Sequence, residues 1–392
     1  MKPVYLTHYR RTAFSRAHPL KTETDAFSEI SGPELLTRLI DAMLDETGLD
    51  PELVDDLTLG CALPVKEQWS FGGRYPVMQS SLGDQCASRM IDQQCGSGLA
   101  AMRTAALTIQ SGAAEIALAG GFEHMTRVPM GPSLFQEGVL TVPAVQSHYD
   151  MQRAMNMGLT AESLALQAGI GREAMDRFAC RSHELAAQAR DRGFHAGEIL
   201  PIKTPAAAAF ALDACIRDTT TLETLSGLRP VFQENGLITA GNSSPLTTGA
   251  ALSLLMSESA LQHSSLEPLA RVIACVDRGT RPELMGQGVV PAVEKLLQVT
   301  GLTVPDIDLW EINEAFSIVP LYAMQQLGIE AERVNINGGA LALGHPLGAT
   351  GIRLAGTLAR ALQGQEGQKG RYGIAAACIG GGQGIAMLIE RC

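Results

Sequence analysis

The sequence predicts an α/β fold built from two similar halves, and three observations carry that expectation. Strand-like and helix-like segments alternate along the first 125 residues and again from about residue 269 onwards. Two distant stretches echo each other: "EIALAGGFEHM" (115–125) and "GIAAACIGGGQGIAMLIE" (373–390) each read as a small-residue strand breaking into glycines, and each follows a glycine-rich turn with an alanine/leucine helix. The composition suits close helix–strand approach: 46% hydrophobic, only 5% aromatic, with 41 glycines in 392 residues.

The elements follow in order. In "ELLTRLIDAMLDETG" the residues Leu35, Leu36, Leu39, Ile40, Met43 and Leu44 fall three and four apart, the stripe of an amphipathic helix, which Gly48 ends. "DLTLGCAL" reads as a strand, and "DQQCGSGLAAM" (92–102) as a tight turn that places Cys95 at the N-terminus of a helix. From about 126 to 239 the rhythm of a sheet is lost among polar loops, one long helical stretch "REAMDRFACRSHELAAQARDRG" and an alanine run "PAAAAFALDA", as expected of an inserted lid. "GAALSLLMS" resumes the core, and a second α/β half begins at "ARVIACV". The expected organisation is therefore 1–125, completed by about 240–268; an inserted lid, 126–239; and a C-terminal half, 269–392.

Thirty Lys and Arg against 41 Asp and Glu leave a net charge of −11, which argues against a nucleic-acid or anionic-membrane surface. Eight cysteines occur without a C-x-x-C pair, which fits a reducing compartment better than a disulfide framework or a zinc site, so no metal is expected. The N-terminal "MKPVYLTHYRRTAFSRAHPL" lacks an apolar signal-like run, and no stretch offers the roughly 18 apolar residues of a membrane span. The expectation is a soluble, cytoplasmic protein. The "NSS" at Asn242 is taken as a chance glycosylation pattern.

Cys95 is the first candidate for chemistry. A free thiol has a pKa near ~8.5, and unpaired N–H groups with the helix dipole favour the thiolate. A lone cysteine is more often a small buried hydrophobe, and Cys61, Cys86, Cys180, Cys215, Cys275 and Cys392 are read that way. Cys95 and Cys378 are singled out because the aligned halves bring one thiol each to a shared interface, with Cys378 at the tip of a hairpin.

Four stretches, "CGSGLAAM" at 95, "NEAF" at 313, "NGGALALGHPLGATG" at 337 and "CIGGGQG" at 378, together resemble the thiolase family. The likeness continues through "MGLTAE" (157–162), "RSH" (181–183) and "ITAGNSS" (238–244), and so spans essentially the whole chain. It implies a thiolase-like, five-layered αβαβα fold of two duplicated halves under an inserted lid, and an acyltransferase that cleaves 3-ketoacyl-CoA with coenzyme A as co-substrate and no permanently bound cofactor.

The same resemblance implies the roles. Cys95 attacks the 3-keto carbon, His345 takes its proton, and Cys378 protonates the departing acetyl-CoA enolate and later deprotonates CoA. The backbone N–H groups of Cys95 and Gly380 form one oxyanion hole; His345 and a water held by Asn313 form another. Arg217 matches the family's position near the adenine end of CoA, and Ser244, Ala240, Phe232, Met157 and Phe316 match its pantetheine channel. Family members are dimers or tetramers, and some degradative bacterial ones associate with a hydratase/dehydrogenase.

This chain departs from the family in three places. "TTGAA" (247–251) stands where Asn-Asp-Gly-Ala-Ala is usual, Ala214 replaces an acid of the lid, and Asn156 stands where short-chain biosynthetic members usually carry histidine. The last, with "GGFEHMTRVPM" (120–130), favours the degradative β-oxidation branch. The rival expectations are a short-chain acetoacetyl-CoA thiolase running in condensation, a carrier-protein ketosynthase, which lacks the second thiol, and a non-catalytic acyl-CoA-binding subunit, encouraged only by Thr247 and Thr248.

Overall fold

The computed structural model describes residues 2–130, 138, 148–205, 207–364 and 371–392. Part of the expected lid, together with residue 206 of the alanine run, lies outside the described residues. Nine main strands are β1 (Val4–Thr12), β2 (Asp56–Gly60), β3 (Ala87–Ile91), β4 (Ile116–His124), β5 (Thr247–Ser257), β6 (Ala270–Gly279), β7 (Leu309–Ile312), β8 (Tyr372–Ile379) and β9 (Gln383–Arg391). Seven helices matter for the site: α1 (Gly32–Thr47), α2 (Ser97–Gln110), α3 (Met157–Ala168), α4 (Arg172–Asp191), α5 (Val289–Thr300), α6 (Ile318–Leu327) and α7 (Leu347–Gln363).

The strands lie in the order β7-β8-β9-β6-β1-β5-β4-β2-β3. The halves join where β1 pairs antiparallel with β6, Tyr5 opposite Arg271 and Leu6 opposite Ala270. Outward from that seam the N-terminal half runs β1, β5, β4, β2 through antiparallel, antiparallel and parallel pairings. The C-terminal half runs β6, β9, β8, β7 through the same three pairings in the same order. The duplication expected from the two echoing stretches is thus present in the topology, with β3 an extra edge strand on the N-terminal side, but β4 does not break at its glycines: Gly120 and Gly121 stay paired with Leu252 and Ala251 of β5.

Helix α1 shows why the local sequence folds as it does. Ser31 Oγ accepts the N–H of Glu34 at 3.3 Å, Pro33 sits in the first turn where its missing N–H costs nothing, and Gly48 ends the helix at φ 63°. Its stripe packs on Leu57, Leu59, Leu118 and Leu252 of the sheet, and each such leucine contributes roughly 1.5–3 kcal/mol on burial. On the opposite side, Leu99, Met102 and Ile109 of α2 share one core with Ile352, Leu354 and Leu358 of α7. Val289, Val293 and Leu296 of α5 cover the outer face of the C-terminal half. Helices outside, sheets beneath them and two helices buried in the centre make the five layers.

The central helices meet at backbone contact. A Cβ at Gly98 would press on the carbonyl of Gly348 and the N–H of Gly351, and one at Gly351 on the N–H of Leu99. This crossing carries the N-terminal ends of both helices to one place, which is where Cys95 and His345 lie.

The 148–239 stretch contains α3 and α4 and a small hairpin, Ile202–Thr204 with Ala207–Phe210, so the alanine run is in part a strand. It is fastened to β1 by Arg11, fully buried, which donates to both oxygens of Asp213 at 2.7 and 2.9 Å and to Glu198 Oε2 at 3.0 Å. Among the described residues no helix is long and apolar enough to cross a membrane.

Candidate active site

Cys95 sits in a single 3-10 turn, Gln94–Gly96, that runs into α2. Gln94 adopts φ 48°, a left-handed conformation costing a non-glycine residue roughly 1–2 kcal/mol. Several bonds hold it there: Asp92 Oδ1 accepts its N–H at 3.0 Å, its Nε2 donates to the carbonyl of Ala62 at 3.2 Å, and Ser97 Oγ donates to its carbonyl at 2.7 Å. The turn packs on the end of β8, where a Cβ at Gly96 would press on the side chain of Ile379.

Cys378 lies in β8, paired with Gly384 of β9 and one residue before the reversal, rather than at the hairpin's tip. It is fully buried. Burial and the neighbouring Cys95 both push its thiol up, so the two sulfurs, far apart in sequence, sense each other.

The helix-terminus expectation for Cys95 is corrected by its surroundings. Burial pushes this thiol up to about 12, although the backbone N–H groups of Gly380 and of Cys95 itself hydrogen-bond to the sulfur and pull the other way. Desolvation of a charged sulfur outweighs two N–H dipoles. Cys95 therefore rests as a thiol.

His345 occupies the loop that enters α7. Gly344 precedes it at φ 105°, and a Cβ there would meet Thr247 Oγ1; only glycine lets the chain close onto that hydroxyl. Thr247 Oγ1 accepts the backbone N–H of His345 at 3.1 Å and donates to the carbonyl of Pro245 at 2.7 Å. The ring is held at both nitrogens, Nδ1 2.6 Å from Thr350 Oγ1 and Nε2 3.2 Å from Asn313 Nδ2. Thr350 Oγ1 also donates to the carbonyl of Pro346 at 2.9 Å. The network is satisfied with the proton on Nδ1, donated to Thr350, leaving Nε2 as acceptor. Burial, with the charge of Arg353, pushes the imidazole down to about 3, so it rests neutral.

Asn313 follows β7 and is fully buried. Its N–H donates to the carbonyl of Ala376 at 2.9 Å, and its Oδ1 has no hydrogen-bond partner among the described residues. The Cys95 turn packs against both β8 and α7, and Cys95 shares an apolar cluster with Leu347, two residues past His345. The structure thus gathers Cys95, Cys378, Gly380, His345 and Asn313 at the seam between the halves. Two thiols and an imidazole, all neutral at rest, form a thiolate–imidazolium pair only on proton transfer, and a dry site makes that separation of charge costly.

The expected CoA contacts divide. Met157 Sδ lies 3.3 Å from where a Cβ of Gly380 would stand, Phe232 and Phe316 meet edge to face at 6.1 Å, and the N–H of Ser244 bonds the carbonyl of Ala315 at 3.0 Å. Four of the six residues are therefore close to the thiols or to one another. Arg217 is exposed on the lid with its N–H 3.2 Å from His183 Nδ1, and Ala240 is exposed in the turn before Asn242; neither is drawn into that group. Asn156, the departure at the start of α3, is its N-cap, accepting the N–H of Leu159 at 3.2 Å.

Sequence reasoning did not single out Thr350, Glu123 or Glu314. Glu314, fully buried, accepts Ser182 Oγ at 2.6 Å, Asn335 Nδ2 at 2.7 Å and the N–H of Leu341 at 3.1 Å, bracing the segment that leads to His345. Its place in "NEAF" was a signal. Thr350 had none, because its contact depends on how α7 begins.

Family models described as the thiolase N-terminal and C-terminal domains match residues 5–259 and 266–391. The 3-ketoacyl-CoA thiolase of Marinobacter nauticus is 40% identical over 390 residues, 97% of this chain and 96% of its own length. The acetyl-CoA acetyltransferase of Escherichia coli is 38% identical over 380 residues, 93% of this chain and 95% of its own. The crystal structure of human mitochondrial 3-ketoacyl-CoA thiolase in complex with CoA aligns at a TM-score of 0.88 and 31% identity, covering 100% of this chain and 98% of that one. With both family domains matched in order and a solved relative aligned from end to end, the chain belongs to the thiolase family of acyltransferases.

Proposed function

We propose that this chain is a 3-ketoacyl-CoA thiolase of fatty-acid β-oxidation, cleaving its substrate with CoA into acetyl-CoA and an acyl-CoA two carbons shorter. The observation that carries it is the meeting of two buried thiols, Cys95 and Cys378, beside a neutral imidazole whose Nε2 carries no proton and accepts from Asn313. Cys95 Sγ attacks the 3-keto carbon as its proton passes to His345 Nε2. The C2–C3 bond breaks, its electron pair leaves as the acetyl-CoA enolate, and Cys378 protonates that enolate. Cys378, now a thiolate, takes the proton of incoming CoA, whose sulfur attacks the Cys95 thioester; Cys95 departs and recovers its proton from His345.

Two oxyanions develop in this cycle. The N–H groups of Cys95 and Gly380 serve the thioester oxygen, and protonated His345 with Asn313, through a water, serves the enolate, each donor being worth roughly 10²–10³ in rate. CoA runs along Met157, Phe232, Phe316 and Ser244 towards Ala240 and Arg217, under a lid formed by 126–239 that separates the halves 1–125 plus 240–268 and 269–392. The protein works in the cytoplasm as a homodimer or homotetramer, with a hydratase/dehydrogenase as its further partner. Association is supported by the open edge of β3 and by the neighbouring exposed Trp69, Phe71 and Met78.

A second reading, acetyl-CoA acetyltransferase, is favoured by the name of the Escherichia coli relative. A thiolysis assay from acetoacetyl-CoA to long-chain 3-ketoacyl-CoAs, with Cys95→Ala and Cys378→Ala as controls, separates the two. The degradative function predicts a higher kcat/KM on the longer substrates; exclusive use of acetoacetyl-CoA would favour the second.

A further inference from the structure

We infer that Glu123 is a positioning residue that ties the Cys95 turn to the His345 helix across the seam between the halves, and that it keeps a negative charge close enough to act on Cys95. This inference rests on Cys95 and His345 being nucleophile and base.

Glu123 is the penultimate residue of β4 and is fully buried. Its Oε2 accepts the N–H of Ala62 at 2.9 Å and the N–H of Gly348 at 3.1 Å. Its Oε1 accepts Gln68 Nε2 at 2.8 Å, the N–H of Leu63 at 3.3 Å and the Cys61 thiol at 3.7 Å. All five donors are neutral, and charge-assisted bonds of this kind contribute roughly 1.5–3 kcal/mol each.

Two of these bonds lead to the chemistry. The Ala62 whose N–H reaches Glu123 accepts Gln94 Nε2 through its carbonyl at 3.2 Å, and Gln94 is the strained residue immediately before Cys95. Gly348 belongs to the first turn of α7, whose N–H groups have no partner within the helix, and Thr350 of the same turn holds His345 Nδ1. A carboxylate there also complements the positive end of the α7 dipole. Gly348 can come so close only without a side chain, since a Cβ would run into the carbonyl oxygens of Phe122 and Gly60. One carboxylate group therefore anchors both loops that must meet.

The titratable groups facing it are Cys61, after β2, and Cys95; β5 presents Gly249 and α7 presents Gly348. The neighbouring His124 turns away to the carbonyl of Phe27. Burial pushes the Glu123 carboxyl up while Ala62, Gln68, Gly348 and Leu63 pull it back. Its charge is among the influences that raise the Cys95 thiol. Glu123 thus opposes premature ionisation of Cys95 while holding it in place.

The experiment uses the full-length enzyme without substrate: alkylation of Cys95 by iodoacetamide at fixed pH, read on the Cys95 peptide by mass, beside kcat for thiolysis. Glu123→Gln keeps the shape and removes the charge. It is expected to lower kcat about 10–100-fold and to speed alkylation about 3–10-fold, whereas a merely structural loss would loosen the turn and speed alkylation in Glu123→Asp as well. Glu123→Asp keeps the charge and shortens the reach, so kcat should fall at least about tenfold with alkylation within about twofold of the parent. Unchanged or slower alkylation in the Gln variant, or parental kcat in the Asp variant, would overturn the inference. If Glu123→Gln does not fold, the Asp variant decides. Should the parent show no thiolysis at all, the proposed function fails, while the alkylation comparison still judges Glu123.

Discussion

Thr350 Oγ1 lies 2.6 Å from His345 Nδ1 and donates its own proton to the carbonyl of Pro346. The hydroxyl therefore acts on the ring as an acceptor and keeps the ring proton on Nδ1, so that Nε2, which accepts from Asn313 Nδ2 at 3.2 Å, is the basic nitrogen. Thr350→Val removes that acceptor at nearly constant shape. We expect kcat to fall roughly 10–100-fold, in the range of a general-base contribution, with Thr350→Ser recovering most of it. Steady-state kinetics of the two variants are the check, and equal activities would refute the assignment.

The two thiols should separate by which half-reaction each supports. Incubated with a 3-ketoacyl-CoA and no free CoA, the parent should gain one acyl group on Cys95, seen by intact mass. Cys95→Ala should gain none. Cys378→Ala should lose at least ~10³ in kcat, since a proton donor and a base are removed together. An acyl adduct on the Cys95→Ala protein would mean another nucleophile.

Burial sets the pH behaviour of the resting site. With the Cys95 thiol pushed up to about 12 and His345 down to about 3, the thiolate fraction grows about tenfold per pH unit through the neutral and alkaline range. Alkylation of Cys95 in the free enzyme should therefore climb steadily from pH 7 to 10. A plateau near neutrality would show a preformed thiolate–imidazolium pair instead.

Thr247 tests the family departure at 247–251. Thr247→Val leaves the buried N–H of His345 without its acceptor, a loss of about 1–3 kcal/mol, and should also lower activity by loosening the ring. Thr247→Ser should be close to the parent in both. Urea unfolding and kcat, measured side by side, decide; a valine variant as stable and active as the parent contradicts the contact.

Glu198 predicts part of the acid sensitivity. Burial pushes its carboxyl up, but the hydrogen bond to His195 and the charges of Arg11, His195 and Arg360 hold it down at about 2. Because the folded value lies below the ordinary one, its stabilisation is complete above about pH 4.5 and is lost as pH falls towards 2, a contribution of about 3 kcal/mol. Glu198→Gln should lower stability at pH 7 and flatten its decline between pH 5 and 3, as followed by denaturant titration at each pH.

The sequence by itself determined what local pattern and residue chemistry can encode. The capped stripe of α1, the glycine break after β8, and the stretches holding Cys95, Asn313, His345 and Cys378 were legible, because periodicity and motif spacing are written along the chain, whereas β4 runs on through Gly120 and Gly121 to His124 because its pairing with β5 continues there. Only the tertiary structure decided what those residues experience. Glu123 and Thr247 reach the site through contacts with segments more than 90 residues away, which no spacing rule reports, and Thr350 reaches His345 only because of how the chain turns into α7. The charge of Cys95 was decided there too: a helix terminus favours a thiolate, but desolvation depends on everything packed around the sulfur, and in this fold it is the larger effect.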